Sequence, residues 1–282
     1  MGNNSYVTLD TLKGTGALNI AGTAYDTRLL SLIENVSRQV DRECNRFFFF
    51  EIGTRFFDGD GGTELFIPDL IAIDTLKEDT NNDGTLETSW AAADYILEPY
   101  NARPTNQNGR PYTRIRVSPK TGGTQDVFQK DIKNYEISGT WGFRQVTKNS
   151  TQNGTLADGT TGTLVFDGGT INIEVGQTLL IDSEQLYIKS KSGTSGQVDR
   201  AQNGSTGTAH TNSDVMIIQY PGEIAEATFI QTSRLWKRKD SGFADQLGFP
   251  ETGQLTVFQG PLDKDMINLI APYKKLPLGI GI

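Results

Sequence analysis

The apolar residues near the start of the chain follow a helical period. Between residues 27 and 43 they recur every three or four positions, as on the buried face of a helix: Leu29, Leu32, Ile33, Val36 and Val40. Asp26 or Thr27 starts this helix in our prediction, and Thr8 is placed to cap a shorter helix over Leu9–Lys13. We therefore predict that the first 50 or so residues are helical.

Helical spacing returns near the other end of the chain. A run over residues 223–239 opens after Pro221, with acidic residues in its first turn and basic residues in its last, an order that suits the helix dipole. A final short helix is predicted from about Asp263 to Pro272. The two long helices bracket all β-type sequence, and the simplest packing joins them as a small helical bundle core.

Between these helices the period shortens to that of strands. From about Phe47 to Trp141, short β-type runs alternate with Gly, Asn and Asp turn clusters, which predicts an antiparallel meander. The runs are Phe47–Phe50, Thr54–Phe57, Glu64–Ile67, Leu70–Leu76, Tyr95–Glu98, Thr113–Val117 and Tyr135–Trp141.

Residues 144–220 differ from this meander because they are rich in Gly, Ser and Thr and poor in charge. Regular β-branched runs favour an inserted small all-β module, a barrel or a sandwich, over a disordered linker. The runs are Leu164–Phe166, Ile171–Val175, Thr178–Ile181, Gln185–Ser190 and Val215–Tyr220. The predicted class is α+β in three parts: 1–143 with the first helices and the meander, 144–220, and 221–282 with the last helices and a tail.

Composition narrows the chemistry. The 282 residues include one Cys and one His, which excludes a disulfide framework, a Cys-rich zinc site and most His-based machinery. A formal net charge of −8 argues against gripping nucleic-acid phosphates over the whole surface. Neither a signal peptide nor a run of 18 apolar residues is found, so we expect a soluble chain without a membrane span.

One turn matches half of a calcium-binding loop. Asp79, Asn81 and Asp83, followed by Gly84, follow the pattern D-x-[DN]-x-[DN]-G, in which alternate oxygen ligands surround a hard cation. The twelfth position, where a bidentate Glu belongs, is Trp90. A hairpin turn held by Asx-type hydrogen bonds is the simpler interpretation. We therefore predict no metal and no cofactor, with these three residues as the candidate ligands if one binds.

No other group of residues points to catalysis. Cys44 ends a predicted core helix, which favours a role as a small buried apolar residue. His210 lies in a polar turn, and we predict a solvated loop residue there. The acidic residues fall in turns and on polar helix faces, so no carboxyl has the apolar setting that a general acid needs. We expect that the chain is not an enzyme.

A dense basic cluster ends the helix over 223–239. Such cations stabilise a helix C-terminus in their own right, and they can also form salt bridges with a neighbouring subunit or contact phosphate. The cluster consists of Arg234, Lys237, Arg238 and Lys239.

Several pieces of the sequence together resemble the head–tail connector (adaptor) proteins of long-tailed bacteriophages and gene-transfer agents. In chain order they are Tyr6–Lys13, the helix Leu29–Cys44 with its end Asp41–Phe48, Thr54–Gly61, Leu65–Leu70, Ile137–Phe143, Ser233–Ser241 and Leu269–Tyr273. The likeness covers most of residues 5–143 and 221–275, while residues 144–220 depart from the compact members of that family and look like an insertion.

The resemblance implies a structural virion protein that forms a ring, commonly of twelve subunits, beneath the portal. Such a ring extends the DNA channel and presents a platform to a tail-side neck, stopper or tail-terminator protein. Its C-terminal tail docks on the portal in that family. The apolar tail residues that this role would fall on here are Leu276, Pro277, Leu278, Ile280 and Ile282.

The resemblance also places the protein at the head–tail interface of the virion after assembly in the host cytoplasm, with genomic DNA passing transiently and no membrane contact. Two alternatives remain. One is another neck or tail protein, such as a stopper or tail-completion protein. The other is a carbohydrate-binding or adhesin-like module, which would need an exposed aromatic platform in 144–220 that includes Tyr187 and Tyr220.

Overall fold

The computed structural model describes residues 3–118, 122–168, 172–239 and 262–275, and the backbone of 246–249 and 254–257. The chain divides into two compact units. The first unit is built from three stretches of the chain, Met1–Asn45, Lys148–Arg200 and Gly207–Lys275, and the second is built around Arg46–Thr147 with Ala201–Thr206. The class is mixed α and β with antiparallel sheets, as predicted.

The helices lie in the first unit and match the sequence prediction closely. They are α1 (Leu9–Lys13), α2 (Asp26–Cys44), α3 (Gly222–Arg238) and α4 (Lys264–Ile270), followed by a 3-10 turn over Ala271–Tyr273. Thr8 caps α1 as predicted, since its hydroxyl accepts the Thr11 N–H at 3.1 Å. Helix α2 ends at Asn45, whose φ of 51° is left-handed.

Helix α2 packs against α1, α3 and α4, and α3 packs against α4. Residues from α1, α2 and α3 share one buried apolar cluster with the segment before α1: Val7, Leu9, Leu12, Leu29, Ile33 and Trp236. Contacts therefore join helices that are far apart in the sequence. Within the described residues, no helix combines the length and the hydropathy needed to cross a membrane.

The second unit is an antiparallel sheet of β1 (Phe50–Gly59), β2 (Glu64–Glu78), β3 (Thr88–Ser89), β4 (Tyr95–Glu98), β5 (Tyr112–Val117) and β6 (Asp131–Gly142). The strand order is β1-β6-β2-β5-β4, with β3 beside β2. The sheet is antiparallel as predicted, but the predicted meander is wrong, because β6 lies between β1 and β2 and β5 lies between β2 and β4. The buried core of this sheet is Leu65, Ile67, Leu70, Leu76, Trp90, Ile115, Val117, Phe128, Tyr135, Ile137 and Trp141.

Strand β2 explains the difference in topology. The runs Glu64–Ile67 and Leu70–Leu76, predicted as separate strands, form one strand that continues through Pro68. The first part of β2 pairs with β5 and the second part pairs with β6, and the register with β5 shifts between Phe66 and Leu70. Because proline has no N–H to donate, it sits where a ladder is interrupted. Strand β2 thus belongs to two ladders in succession.

The predicted all-β module is a closed barrel. Its strands are β7 (Thr147–Leu156), β8 (Thr163–Phe166), β9 (Thr178–Ile181), β10 (Glu184–Ser192), β11 (Ser195–Asp199) and β12 (His210–Ile218), closed in the order β10-β11-β8-β7-β12-β9. Strands β7 and β11 were not predicted. The predicted run Ile171–Val175 is not a strand over its described residues 172–175, and Ile171 lies outside the described residues. A further pair, β13 (Gln246–Phe249) and β14 (Gln254–Val257), forms a two-stranded ladder.

The segment before α1 joins the helices to the barrel within the first unit. Residues 4–7 are buried, and Asn4 is 0 % exposed. The main-chain N–H of Asn4 donates to Glu34 of α2 at 3.0 Å, and its side-chain oxygen accepts from Thr178 of β9 at 3.3 Å. The N–H of Leu9 donates to the carbonyl of Val175 at 2.9 Å. We call residues 4–7 the N-terminal strap.

Candidate functional site

The turn between β2 and β3 brings three carboxylates together. Ligand oxygens of Asp79, Asp83 and Glu87 all lie within 4.8 Å of one another, with Asp79 buried and the other two exposed. Within the described part of the chain, no other three His, Cys, Asp or Glu side chains are grouped in this way. Of the predicted ligands, Asn81 points an oxygen at the Asp83 N–H, 3.0 Å away. Glu87, at the ninth loop position, joins the group.

Backbone hydrogen bonds already use these oxygens. The two carboxylate oxygens of Asp79 accept the N–H groups of Asn82 at 2.7 Å and Gly84 at 2.8 Å. Asp83 accepts the N–H of Thr85 at 2.8 Å, and the hydrogen bonds from Thr85 hold the pKa of Asp83 below its usual range. Gly84 has φ +87°, which suits a residue without a Cβ. The geometry therefore favours a turn held by Asx-type hydrogen bonds.

This interpretation predicts how the turn responds to mutation and to calcium. Asp79→Ala removes the acceptors of two backbone N–H groups, and we expect it to lower the free energy of unfolding by about 1–3 kcal/mol. Asp83→Ala, at an exposed position of the same turn, should cost about 1 kcal/mol or less. Urea denaturation with and without calcium measures both effects. A calcium-dependent rise in stability that Asp79→Ala abolishes would show a metal site instead.

The last turn of α3 carries the predicted basic cluster. Lys237 and Lys239 are exposed, whereas Arg234 and Arg238 are half-buried. The Lys239 ammonium lies 4.6 Å from the centre of the Trp236 ring, a cation–π distance. The cluster thus complements the helix dipole, and two of its ammonium groups remain accessible to an anionic partner.

The single cysteine and the single histidine of the chain lie in different environments. Cys44 is 0 % exposed, and its thiol contacts the carbonyl of Ile270 at 3.9 Å, in keeping with a small buried residue. His210, expected to be solvated, is instead buried at the start of β12. The polar sequence around it does not show which charged groups it meets in the fold.

Those groups form a buried ionic cluster at one end of the barrel. The guanidinium of Arg200 donates to both oxygens of Glu184, at 2.7 Å each. His210 Nε2 lies 2.9 Å from Glu184 Oε2, and its Nδ1 lies 2.8 Å from an oxygen of Asp182. The side chains of Glu184 and His210 are 0 % and 1 % exposed. Asp182 reaches this cluster from a position that is largely open to solvent.

The cluster holds several loops together through Arg200. Its guanidinium also donates to three main-chain carbonyls, those of Asp158, Thr161 and Thr208. The hydroxyl of Thr208 lies 3.3 Å from His210 Nε2, but the closer Glu184 carboxylate occupies that nitrogen. A histidine that acts as a base on a hydroxyl must accept the proton on this nitrogen, which Glu184 occupies here. The arrangement is therefore suited to a structural role. The sequence gives one weak indication of the cluster: charged residues are few in the barrel strands, so those that occur there are candidates for a specific role.

The N-terminal strap forms a second polar network. The guanidinium of Arg38 donates to Glu34 at 2.7 Å and to Asp41 at 2.8 Å, and the Tyr6 hydroxyl donates to Asp41 at 2.6 Å. Burial raises the pKa of Asp41 to about 6, against the opposing effect of Arg38. The main-chain N–H of Tyr6 donates to the Ser37 hydroxyl at 3.1 Å. This network fastens the strap to α2.

Tyr187 and Tyr220 do not form an exposed aromatic platform. Tyr187 is buried, its hydroxyl lies 2.8 Å from that of Ser5, and burial raises its pKa to about 12. Tyr220 is half-buried, and its ring meets that of Tyr6 edge to face with centroids 4.6 Å apart. Both rings are used in attaching the strap to the barrel, which leaves the carbohydrate-binding alternative without the platform it needs.

Each unit contains a cavity lined by described residues. One, of about 300 Å³, lies in the first unit beside the strap and the end of β12, and its polar wall includes Glu174 and Gln177. Glu174 is already engaged there, since it accepts the Thr8 hydroxyl at 2.5 Å. The other, of about 460 Å³, lies in the second unit and is lined by residues 101–103 and 106–109 of one loop. Neither cavity contains the convergent charged groups of an active site.

The remaining predicted site is the C-terminal tail. Leu276, Pro277, Leu278, Ile280 and Ile282 lie outside the described residues, so their role stays a prediction. The last described residue, Lys275, donates its N–H to the carbonyl of Cys44 at 2.9 Å. Lys275, the residue before the tail, therefore lies beside the C-terminal end of α2.

Comparison with known proteins gives no relative: no protein family, no curated protein and no solved structure matches the chain.

Proposed function

We propose that the chain is a structural head–tail connector subunit, which forms a ring beneath the portal, extends the DNA channel and joins the head to the tail. It catalyses no reaction and takes no cofactor. Its partners are the portal protein, a tail-side stopper or tail-terminator protein, other copies of itself, with twelve as the expected number, and genomic DNA in passage. It is a component of the virion and is assembled in the host cytoplasm.

The observation that carries this proposal is the packing of α2 against α3. Ile33 of α2 and Trp236 of α3 belong to one apolar cluster, although about 200 residues separate them. The connector resemblance predicts that helices from the two ends of the chain form the core of the subunit. Our proposal includes that these helices form a helical bundle as the core of the subunit. The alternative of a stopper, a kind of protein in which we expect β-barrels to dominate, does not lead us to expect this helix pairing.

The charge of the chain supports a role around moving DNA. A net charge of −8 per subunit, repeated around a ring, gives a bore that does not hold phosphates. The basic cluster is confined to the C-terminal end of α3 and the residue after it, where salt bridges to a neighbouring subunit or a local phosphate contact can use it. A ring that lets DNA leave needs weak contacts with it.

Removal of the tail tests the proposal. A chain that stops after Lys275 keeps the hydrogen bond to Cys44 but lacks the apolar tail. We expect it to lose binding to the portal protein encoded in the same genome, by at least about tenfold, because anchoring apolar residues dominate such interfaces. Co-sedimentation of the two purified proteins measures this loss.

Two comparisons make the truncation specific. A full-length chain with Lys274→Ala keeps the tail and should bind the portal like the wild type, and the melting temperature of the truncated chain should equal that of the wild type. Unchanged affinity of the truncated chain would contradict docking through the tail. A full-length protein that stays indifferent to the portal would contradict the connector function itself.

A further inference from the structure

The exposed large apolar side chains of the second unit fall into two groups on different strands of its sheet. We call the exposed residues Ile52 and Phe56 of β1, with Ile132 of β6, the β1 patch. We call Phe66 of β2, Arg114 of β5, which pairs with it, and Tyr100, which follows β4, the β5 patch.

In the β1 patch, Ile52 and Phe56 lie on the outward face of the regular part of the β1–β6 ladder, and Ile132 lies beyond its register shift. Ile52, Thr54 and Phe56 are exposed alternate residues of β1, and Thr54 and Ser138 of β6 share a hydrogen bond of 2.6 Å. Ile132 is 81 % exposed, the highest value of any large apolar residue described. Its neighbour Lys133 lies 4.5 Å from the centre of the Phe56 ring. The β1 patch thus combines exposed apolar side chains with the polar Thr54 and the cation of Lys133.

The β5 patch differs in its chemistry. Phe66 and Tyr100 are 60 % and 62 % exposed, and the Arg114 guanidinium lies 5.8 Å from the centre of the Phe66 ring. Arg114 also pairs with Glu98 of β4, whose carboxylate is hydrogen-bonded to the side chain of Tyr100. Aromatic rings and Arg, which are enriched in protein interfaces, therefore meet here on one surface.

The sequences around the two patches carry opposite net charge. Residues 56–60 and 130–136, around the β1 patch, include four acidic and two basic side chains. Residues 95–116, around the β5 patch, include four Arg and one Glu, and basic residues remain in excess when Glu64 of β2 is added. Surfaces of opposite charge attract when they meet, whereas two copies of the same patch repel each other. With a chain that is acidic overall, the basic β5 patch is the natural counterpart of the acidic β1 patch.

From this arrangement we infer that the partner of the β1 patch is the β5 patch of a second copy of the chain. The contact joins two unlike surfaces head to tail, so repeated rotation can close it into a ring. The inference rests on the proposed ring-forming function and adds the identity of the two surfaces. It places the subunit contacts on the second unit, with apolar side chains at the centre and charges around them.

Two single substitutions separate the surfaces. Ile132→Asp damages the β1 patch and Phe66→Asp damages the β5 patch, and both positions are exposed enough for the fold to tolerate an acid. We expect each variant of the full-length protein to associate at least about tenfold more weakly than the wild type in sedimentation velocity. An equimolar mixture should form a heterodimer, because each variant keeps the surface that the other has lost. Association should also weaken as salt is raised.

A third variant and the wild type complete the experiment. Val165→Asp, at an exposed apolar residue of β8, is the matched control and should associate like the wild type. The inference is overturned if either patch variant associates normally, or if the mixture remains monomeric. A wild type that is monomeric at every concentration also overturns it, whereas the connector function is judged separately by portal binding.

Discussion

A chain from which residues 147–218 are removed, with a short flexible linker in their place, is expected to lose its folded helices. The N-terminal strap is buried between α2 and the barrel, and Thr178 and Tyr187 of the deleted segment supply partners to Asn4 and Ser5. Without the barrel, the polar groups of Asn4 and Ser5 lose the contacts that bury them, and Tyr220, on which the Tyr6 ring packs, loses the strand before it. Circular dichroism and the soluble yield of the deleted chain measure the outcome.

A point substitution tests the same attachment without removing a domain. Tyr6→Ala deletes a buried ring that packs on Tyr220 and a hydroxyl that binds Asp41, so we expect a loss of about 3–5 kcal/mol in the free energy of unfolding. Tyr25→Ala, in the same unit but 53 % exposed, should cost about 1 kcal/mol or less. A soluble, cooperatively melting deletion product would instead support residues 144–220 as a separable module, as the sequence suggests.

The second large effect is expected at the buried ion pair of the barrel. Glu184→Leu leaves the Arg200 guanidinium without its carboxylate in a site where the Arg side chain is 8 % exposed. Breaking one partner of such a pair costs about 3–5 kcal/mol, because the remaining charge is buried without compensation. We expect that loss in urea unfolding of the full-length protein.

The double variant shows whether charge is the cause. Glu184→Leu combined with Arg200→Met removes both charges, and it should recover part of the stability that Glu184→Leu alone loses. The exposed pair Lys189–Asp199, at 2.6 Å on neighbouring strands, provides the control: Lys189→Met should change stability by about 1 kcal/mol or less. A double variant that is less stable than Glu184→Leu would show that the carbonyl contacts of Arg200 matter more than its charge.

The elements that the sequence predicted best are those whose signals are local. The spacing of Leu29, Ile33, Val36 and Val40 determines one face of α2, and Thr8 caps α1 through its own neighbours. Strand β7 was not predicted because it lacks such a local signal. Its sequence from Thr147 to Leu156 is almost entirely polar, without the alternating apolar residues that indicate a buried strand.

Features that depend on distant partners could not be predicted from the sequence. The insertion of β6 between β1 and β2 is a choice among pairings that all satisfy the same alternation of side chains. The burial of His210 depends on Glu184 and Arg200, which approach it only when the barrel closes. At the Asp79 turn, the spacing of Asp79 and Asp83 predicted that the two carboxylates belong to one turn. Which backbone N–H groups they accept could be learned only from the fold.

The division of the first unit along the chain has a consequence for folding during synthesis. Helix α2 is complete at Cys44, but its partner α3 begins only at Gly222. At roughly 5–20 residues per second, translation of the intervening chain takes about 10–40 s. During that interval the apolar face of α2 has no α3 to cover it, while most of the sheet unit between them has already emerged. Chaperone capture of nascent chains is therefore expected to peak after α2 emerges and to fall when α3 leaves the ribosome.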